Sequence, residues 1–312
     1  MDALAGLLDG PRARGAFLLR SILTPPWSMR IQDEAPLTLV ALVSGEAWIK
    51  PDTGDAVLLH PGDAAILRGP EPYVVADDPD TPPQAVIHPG QRCGTPDGRE
   101  LTALTDLGPR TWGTGTDGPT VLLTGTYPTQ GEISRRLLDA LPALLVLPGG
   151  ALKSPLIPLL AEEIARDEPG QESVLDRLLD LLLIAVLRAW FARPEAHAPA
   201  WYRAHSDPVA GKALRLLQGD PAHPWTVATL AAGAGVSRAA LARRFTTAVG
   251  EPPMTFLTTW RLALAADLLR QQPDATVGAV AHQVGYGSSF ALSTAFKREH
   301  GVSPQRYRTV GA

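Results

Sequence analysis

The chain has 312 residues, 45% of them hydrophobic, and a formal net charge of −4. This length predicts two domains rather than one. Residues 1–20 lack the basic leader and apolar stretch of a signal peptide. The longest apolar run, residues 178–191, contains Asp180 and Arg188 and is too short to span a bilayer. A single cysteine, Cys93, excludes an internal disulfide framework. We therefore expect a cytoplasmic protein with no membrane partner.

The charge is divided unevenly along the chain. Residues 209–312 hold 11 Lys and Arg against 5 Asp and Glu, a net charge of +6. Residues 1–208 hold 17 against 27, a net charge of −10. Chance variation in surface charge is one explanation, but the split favours a C-terminal part that binds a polyanion.

The N-terminal part has the pattern of strands, and helical periodicity follows it. Gly-, Pro- and Asp-rich turns separate short apolar runs at residues 37–43, 47–50, 56–59, 64–67, 73–76, 85–88 and 121–126. This spacing is typical of a β-sandwich or barrel. Helices are then predicted at residues 134–141, 155–166 and 173–192, the last capped by Ser173, before a linker at 193–208.

An internal repeat with an offset of about 50 residues occupies the C-terminal part. Three blocks recur in order: Leu230-Ala231-x-x-Ala234-Gly235-Val236-Ser237 as Val280-Ala281-x-x-Val284-Gly285-Tyr286-Gly287, Leu241/Phe245 as Leu292/Phe296, and Gly250-x-x-Pro253-x-x-Phe256 as Gly301-x-x-Pro304-x-x-Tyr307. In the first copy Thr226 and Ser237 are predicted helix caps, and Gly235 ends the first helix with a positive φ. Each copy therefore predicts a helix-turn-helix, whose second helix enters the major groove of DNA.

Helical geometry sorts the side chains of each second helix. With Leu241, Phe245, Leu292 and Phe296 buried, the outward DNA-binding candidates are Ser237, Arg238, Ala239, Ala242, Arg243, Arg244 and Thr246 in copy one, and Ser289, Phe290, Ser293, Thr294 and Lys297 in copy two.

The roles of these candidates differ. Arg243 is the candidate for a base-edge contact, since arginine bonds guanine O6 and N7 together. Arg238, Arg244 and Lys297 suit phosphates. Phe290 either touches a thymine methyl or packs against the turn, and a solvated surface charge is the alternative for each arginine.

Residues 207–308 resemble the AraC/XylS DNA-binding domain. The resemblance rests on Val284-Gly285-Tyr286, Phe296-Lys297-Arg298 and Gly301-Val302-Ser303-Pro304-x-x-Tyr307-Arg308. It implies two helix-turn-helix units, at about 226–249 and 276–300, joined rigidly by a long helix at about 254–271. It also implies binding in two successive major grooves. The sequence departs from the family at Thr294, where arginine is common, which weakens expected base reading by the second unit.

The strand-rich part resembles the cupin-type sensor that often precedes this domain. The similarity lies in Trp27-Ser28-Met29-Arg30, Gly45-Glu46-Ala47-Trp48 and Leu58-x-x-Pro61-Gly62-Asp63. It implies a small β-barrel whose pocket binds a small-molecule effector. Candidate pocket walls are Trp27, Trp48, Tyr73 and Trp112, although each is also a plausible core residue.

An enzymatic cupin is the alternative function. Metal-dependent cupins need two nearby histidines and a glutamate in their first motif, whereas the candidate strand at 37–43 has no histidine. We therefore expect no catalysis and no cofactor. His88 and Cys93, five residues apart, leave a metal or redox sensor as an alternative function. Both are good soft-metal ligands, and Arg92 beside Cys93 would lower the pKa of the Cys93 thiol. An incidental thiol in a surface loop is the simpler interpretation.

The fold class predicted is thus α+β and multidomain. A cupin-like β-barrel (1–132) precedes a helical dimerisation and linker segment (133–206) and an all-α DNA-binding domain (207–312). The apolar surface of helix 173–192 exceeds what a small barrel covers, so Leu175, Leu179, Leu182 and Val186 are candidates for a homodimer contact. The expected partners are double-stranded DNA, an effector, a second copy and, for an activator, RNA polymerase.

Overall fold

The computed structural model describes residues 17–99, 105–127, 135, 138–152, 154–196 and 198–310. The chain divides into two compact units. Of the described residues, those between 17 and 127 and between 138 and 196 form the N-terminal unit, and 135 and 198–310 belong to the C-terminal unit. The N-terminal unit contains the strands, and the C-terminal unit is helical. No helix in the described ranges is long and apolar enough to cross a membrane.

The N-terminal unit begins with strands and ends with helices. The strands are β1 (Phe17–Leu23), β2 (Ser28–Ile31), β3 (Leu37–Ser44), β4 (Ala47–Pro51), β5 (Val57–Leu59), β6 (Ala64–Arg68), β7 (Tyr73–Ala76), β8 (Ala85–His88), β9 (Arg92–Gly94), β10 (Thr105–Gly108), β11 (Thr111–Gly113), β12 (Thr120–Tyr127) and β13 (Leu144–Leu147). The helices are α1 (Gly149–Leu152), α2 (Leu156–Ile164) and α3 (Gln171–Phe191), followed by a 3₁₀ turn at Pro194–Ala196.

These strands form two sheets that share one core. Sheet A has the order β10-β11-β1-β12-β3-β6-β13, and sheet B has the order β5-β4-β7-β2-β8-β9. Neighbouring strands are antiparallel except for the parallel pairs β1–β11 and β2–β8. Leu42 and Leu122 of sheet A and Ile49 and Val75 of sheet B are buried in one cluster. The two sheets therefore pack face to face, as the strand spacing predicts.

The predicted strands agree with β3 to β8 and β12, whereas six others were not predicted. The missed strands are β1, β2, β9, β10, β11 and β13. In β1, Leu18, Ile22 and Leu23 are buried on both faces of the strand, so no period-two alternation marks it. Residues 134, 136 and 137 of the helix predicted at 134–141 lie outside the described residues, and residues 139–141 form a turn and a bend rather than a helix.

Helix α3 begins earlier than the sequence predicts. Its N-cap is Gly170, with φ +86°, and not Ser173. The side chain of Gln171, the first helical residue, donates to the carbonyl oxygens of Glu163 (2.9 Å) and Arg166. A glycine in the left-handed region and these side-chain bonds, rather than a serine cap, set the start of the helix.

Helix α3 packs against the outer face of β12. The Tyr127 hydroxyl donates to the Leu179 carbonyl at 3.1 Å. A Cβ on Gly125 would lie 2.7 Å from Leu179 Cδ1, so a larger residue would displace the Leu179 side chain.

The predicted dimer residues are buried within the N-terminal unit. Leu175, Leu179, Leu182 and Val186 are each at most 2% exposed. The structure thus places all four inside the unit, and they are not available to a second protomer.

The C-terminal unit consists of α4 (Ala200–Ala204), α5 (Ala210–Gly219), α6 (Val227–Ala234), α7 (Arg238–Val249), α8 (Pro253–Gln271), α9 (Val277–Gln283), α10 (Ser289–His300) and α11 (Pro304–Val310). The two copies of the repeat are α6–α7 and α9–α10. Thr226 and Thr276 cap the first helix of each copy. Gly235 and Gly285 form the turns with φ +74° and +85°. Ser237 caps α7 as predicted, but its counterpart is Ser288 rather than Gly287, because the second turn is one residue longer.

The closing block of each copy supports the recognition helix before it. Phe256 of α8 meets Phe245 of α7 edge-on, with ring centroids 5.9 Å apart. Tyr307 of α11 meets Phe296 of α10 in the same manner at 5.2 Å. The glycine and proline of each block turn the chain so that its aromatic residue reaches the recognition helix. The third repeated block is therefore a packing element.

Candidate DNA interface and N-terminal cavity

Helix α7 presents a basic outer face. Leu241 and Phe245 are fully buried, and the opposite side carries exposed Arg243 and Thr246. The predicted neighbours Arg238, Ala239 and Arg244 are exposed as well, and Ala242 is half-buried. Within the described residues the Arg243 guanidinium makes no ion pair. The side chain predicted to read a base is therefore unpaired and accessible.

Arg244 differs from Arg243 because it is paired within the protein. Its Nε donates to Asp207 Oδ2 at 2.9 Å. Asp207 Oδ1 also accepts from the backbone N–H groups of Val209 and Ala210, both at 2.8 Å. Burial raises the pKa of Asp207, but these amides and the Arg244 guanidinium outweigh it and lower the pKa overall. The two terminal nitrogens of Arg244 remain available to a phosphate.

Helix α10 presents a face of different chemistry. Phe290 is 81% exposed in its first turn, so it does not pack against the preceding turn. Thr294 is exposed, but its hydroxyl donates to the Phe290 carbonyl at 3.0 Å. Ser289 and Lys297 are exposed and Ser293 is half-buried. The second copy thus offers an aromatic ring and one cation where the first offers arginines.

A cavity of about 790 Å³ lies between the two sheets of the N-terminal unit. Its walls are mostly apolar and include Met29, Ile87 and Leu122. Tyr73 and Trp112 line it, as predicted for a pocket. Trp27 and Trp48 do not line the cavity. Trp27 is 1% exposed in the core, and Trp48 lies on β4, where it pairs with Leu58 of β5 and Ala76 of β7.

The polar groups of the cavity are few. Burial raises the pKa of Tyr73, so its phenol stays neutral at physiological pH. Within the described residues the buried Nε1–H of Trp112 has no acceptor. Asp33 and Asp106 are the carboxylates of the lining. Arg110 belongs to the lining too, but its guanidinium donates to Gln171 of α3 at 3.4 Å.

His88 and Cys93 are on opposite faces of sheet B. Cys93 on β9 pairs with Ile87 on β8, and both line the cavity. His88 is the next residue along β8, so its side chain points the other way, where its Nδ1 lies 3.1 Å from Gln32 Nε2. Burial raises the pKa of the Cys93 thiol, opposite to the lowering expected from Arg92. In the described ranges no three His, Cys, Asp or Glu residues cluster as metal ligands.

Three functional features were missing from the sequence prediction. The first is the contribution of β1 to the cavity through Phe17, Leu19 and Ser21. The second is the Asp207–Arg244 pair, which spans 37 residues. The third is Arg261 of α8, which donates to a loop about 40 residues earlier. Only the first of these features could have been found from the sequence, because Phe17, Leu19 and Ser21 have the two-residue spacing of one face of a strand.

We expect Asp207→Asn to reduce stability in a pH-dependent manner. A carboxylate whose folded-state pKa is lowered stabilises the fold above its unfolded pKa of about 3.9, and this contribution is lost as the pH falls below it. Asparagine keeps an acceptor for the amides but loses the charge. The free energy of unfolding should fall by about 0.5–1 kcal/mol at neutral pH, as for partly screened pairs.

Urea unfolding followed by circular dichroism at neutral and acidic pH measures this difference. Asp274→Asn, at an exposed carboxylate, is the matched control and should change little. A gap between wild type and Asp207→Asn that stays constant down to a pH of about 3 would contradict the assigned role of the charge.

Comparisons with known proteins agree with both units. The family model described as "Cupin" matches residues 2–192, and the one described as "Helix-turn-helix domain" matches residues 230–309. An AraC-like transcription regulator from Streptomyces antibioticus is 32% identical over 99% of this chain and 98% of its own length. A protein of the same description from Streptomyces lividans is 31% identical over the same shares.

Among solved structures, the DNA-binding domain of AdpA in complex with a target DNA is 37% identical, covering 34% of this chain and 93% of that one, with a TM-score of 0.31. The two family models and the full-length relatives together assign both halves of the chain. The protein belongs to the AraC-like family of DNA-binding transcription regulators, with an N-terminal cupin domain and a C-terminal helix-turn-helix domain.

Proposed function

We propose that the chain is an effector-responsive, cytoplasmic transcription regulator whose two helix-turn-helix units bind successive major grooves of one operator. The observation that carries this proposal is the pair of capped recognition helices, α7 and α10, each with an exposed outer face and each buried on its inner face. The net charge of +6 in residues 209–312 suits a DNA surface.

The two recognition helices contribute differently to specificity. Arg243 is exposed and unpaired within the described residues, so it is free to bond guanine O6 and N7. Phe290 offers only an apolar contact, such as a thymine methyl, and the Thr294 hydroxyl hydrogen is used within the helix. Lys297 suits a phosphate. The first unit therefore supplies most of the base discrimination.

We expect Arg243→Ala to weaken binding to the specific operator by about tenfold or more and to affect random DNA much less. Lys297→Ala should weaken both similarly and lower the salt slope by about one. The measurement is a titration of each variant at several salt concentrations. The duplexes are an operator selected from a random library by the wild-type chain and its scrambled version.

Two outcomes would reverse these roles. If Arg243→Ala lowers both affinities by the same factor, Arg243 contacts phosphate rather than a base. If Phe290→Ala or Thr294→Ala costs more specificity than Arg243→Ala, the second unit is the main reader of sequence.

The N-terminal cavity is the proposed effector site. Its volume is in the range of small-molecule pockets, and its mostly apolar wall favours an apolar compound. The unpartnered Trp112 Nε1–H suits one hydrogen-bond acceptor on that compound. The lining carries the carboxylates of Asp33 and Asp106 together with the Arg110 guanidinium, so its charges do not favour a compound of either sign. We infer a neutral, largely apolar effector.

Nile red, a neutral apolar dye with a carbonyl acceptor, tests the cavity. We expect the full chain to bind it with increased fluorescence, and Thr124→Trp to weaken binding by about tenfold because a buried indole fills part of the lining. Thr53→Trp, at an exposed turn, is the matched control. Equal binding by both variants, or tighter binding of an anionic naphthalene sulfonate, would contradict this assignment.

The exposed side of α3 is the proposed dimer face. Val174 is 44% and Leu181 is 50% exposed. Val174, Leu178, Leu181 and Ala185 follow one another at intervals of four, three and four residues, which is the spacing of a coiled-coil seam. Exposed Glu172 and Arg188 lie beyond the two ends of this stripe, so an antiparallel second copy brings opposite charges near each other.

Leu181→Glu should convert the dimer to a monomer in analytical ultracentrifugation without loss of stability. Leu182→Glu, one residue away but fully buried, should instead destabilise the N-terminal unit by about 3 kcal/mol or more, because it buries an unpaired charge. A wild-type monomer, or a Leu181→Glu dimer, would exclude this interface.

A further inference from the structure

Arg261 joins parts of the C-terminal unit that are distant in sequence. It lies in the middle of α8, and its Nε donates to the Pro221 carbonyl at 2.7 Å. Its Nη2 donates to the His223 carbonyl at 2.9 Å. Both acceptors lie in the loop at residues 220–225, which connects α5 to the first recognition unit. One guanidinium thus holds this loop to the helix that leads to the second unit.

The 220–225 loop is itself well braced. Trp225 Nε1 donates to the Asp220 carbonyl at 2.8 Å, and the His223 N–H donates to Asp220 Oδ1 at 3.1 Å. The His223 and Trp225 rings are in contact, with centroids 4.3 Å apart. The loop leads into the Thr226 cap of α6. The braced loop is therefore joined directly to the first helix of the first helix-turn-helix unit.

The turn of the second unit rests on the same loop. A Cβ on Gly285 would lie 2.7 Å from Ala222 Cα and 2.7 Å from Arg261 Nη2. Gly285 also has φ +85°, so only glycine fits without displacement. Burial lowers the pKa of Arg261, while neighbouring Tyr286 and Asp220 raise it. Arg261 is therefore packed between the loop of the first unit and the turn of the second.

We propose that Arg261 is a positioning residue for DNA binding, which fixes the separation and angle of the two recognition helices by holding the 220–225 loop and the Gly285 turn together. This rests on the proposed two-groove binding. The two units have distinct cores, one around Leu230, Leu241 and Phe245 and the other around Val280, Leu292 and Phe296. Both cores rest on α8, and the Arg261 contact braces them on a second side.

A fixed separation has a direct consequence for operator spacing. Each inserted base pair moves a half-site by about 3.4 Å along the DNA and by roughly 34° around it. A braced pair of units tolerates no such change without losing one half-site. A loosened pair tolerates it, but binds the correct operator more weakly because the second unit has a lower effective concentration.

The first test measures the geometry without DNA. Nitroxide labels are placed at Thr247 and Glu299, two exposed positions on α7 and α10, in the full chain carrying Cys93→Ser. Pulsed electron paramagnetic resonance should give one narrow distance distribution in the wild-type background. Arg261→Met, which keeps the apolar stem, should broaden it, and Gly285→Ala should broaden or shift it from the other side of the contact. Arg261→Lys should be intermediate.

The second test measures spacing selectivity on the library-selected operator and on versions with one or two base pairs inserted between half-sites. We expect Arg261→Met to lower affinity for the selected operator by about tenfold. The difference in affinity between the selected operator and the operators with inserted base pairs should become smaller. Binding to a duplex with only the first half-site should stay nearly unchanged, which a general loss of folding would not produce.

The proposal is overturned if Arg261→Met and Gly285→Ala leave the distance distribution as narrow and unshifted as in wild type. It is also overturned if Arg261→Met lowers affinity for the one- and two-half-site duplexes by the same factor. A failure of two-groove binding is distinguishable, because the wild-type chain would then select operators with a single half-site. The label distances would still decide whether Arg261 braces the two units.

Discussion

Helix α8 is the element on which the DNA-binding half depends, because two separate cores need it at once. Trp260 and Phe256 complete the first core, and Leu262 and Leu269 complete the second. A helix buried at both ends on different sides has no single apolar stripe, unlike an amphipathic surface helix. The relative placement of the two recognition helices therefore depends on one helix, against which both units pack.

Much of this architecture could be predicted from sequence, and the exceptions have physical causes. The repeat predicted both helix-turn-helix units because caps such as Thr226 and turns such as Gly235 are local signals. Strand β1 was missed because burial on both faces removes alternation. The candidate dimer residues on α3 are buried within the N-terminal unit, since periodicity shows that Leu182 is on an apolar side but not what covers that side. Long-range bonds of Arg244 and Arg261 leave no sequence pattern.

Three arginines of the C-terminal unit differ in the acceptors that their guanidinium groups contact. Arg244 meets a carboxylate, which cancels part of its charge and stabilises the start of α5. Arg261 meets backbone carbonyls, so it braces the loop without requiring an ionised partner at those contacts. Arg243 has no ion pair in the described part of the chain and is exposed. The acceptor, rather than the residue type, therefore separates the structural arginines Arg244 and Arg261 from Arg243, the proposed base-reading residue.

In the N-terminal unit the cavity and helix α3 share strand β12. Leu122, Thr124 and Thr126 line the cavity, whereas Gly125 on the opposite face contacts Leu179 of α3. Because Gly125 has no side chain, the Leu179 side chain lies directly against the backbone of β12. The Tyr127–Leu179 hydrogen bond holds the same point. The cavity lining of β12 and its contact with α3 thus lie on opposite faces of one strand, and α3 also carries the exposed stripe with Leu181. The proposed effector site and the helix that carries the proposed dimer face are therefore joined at one strand–helix contact.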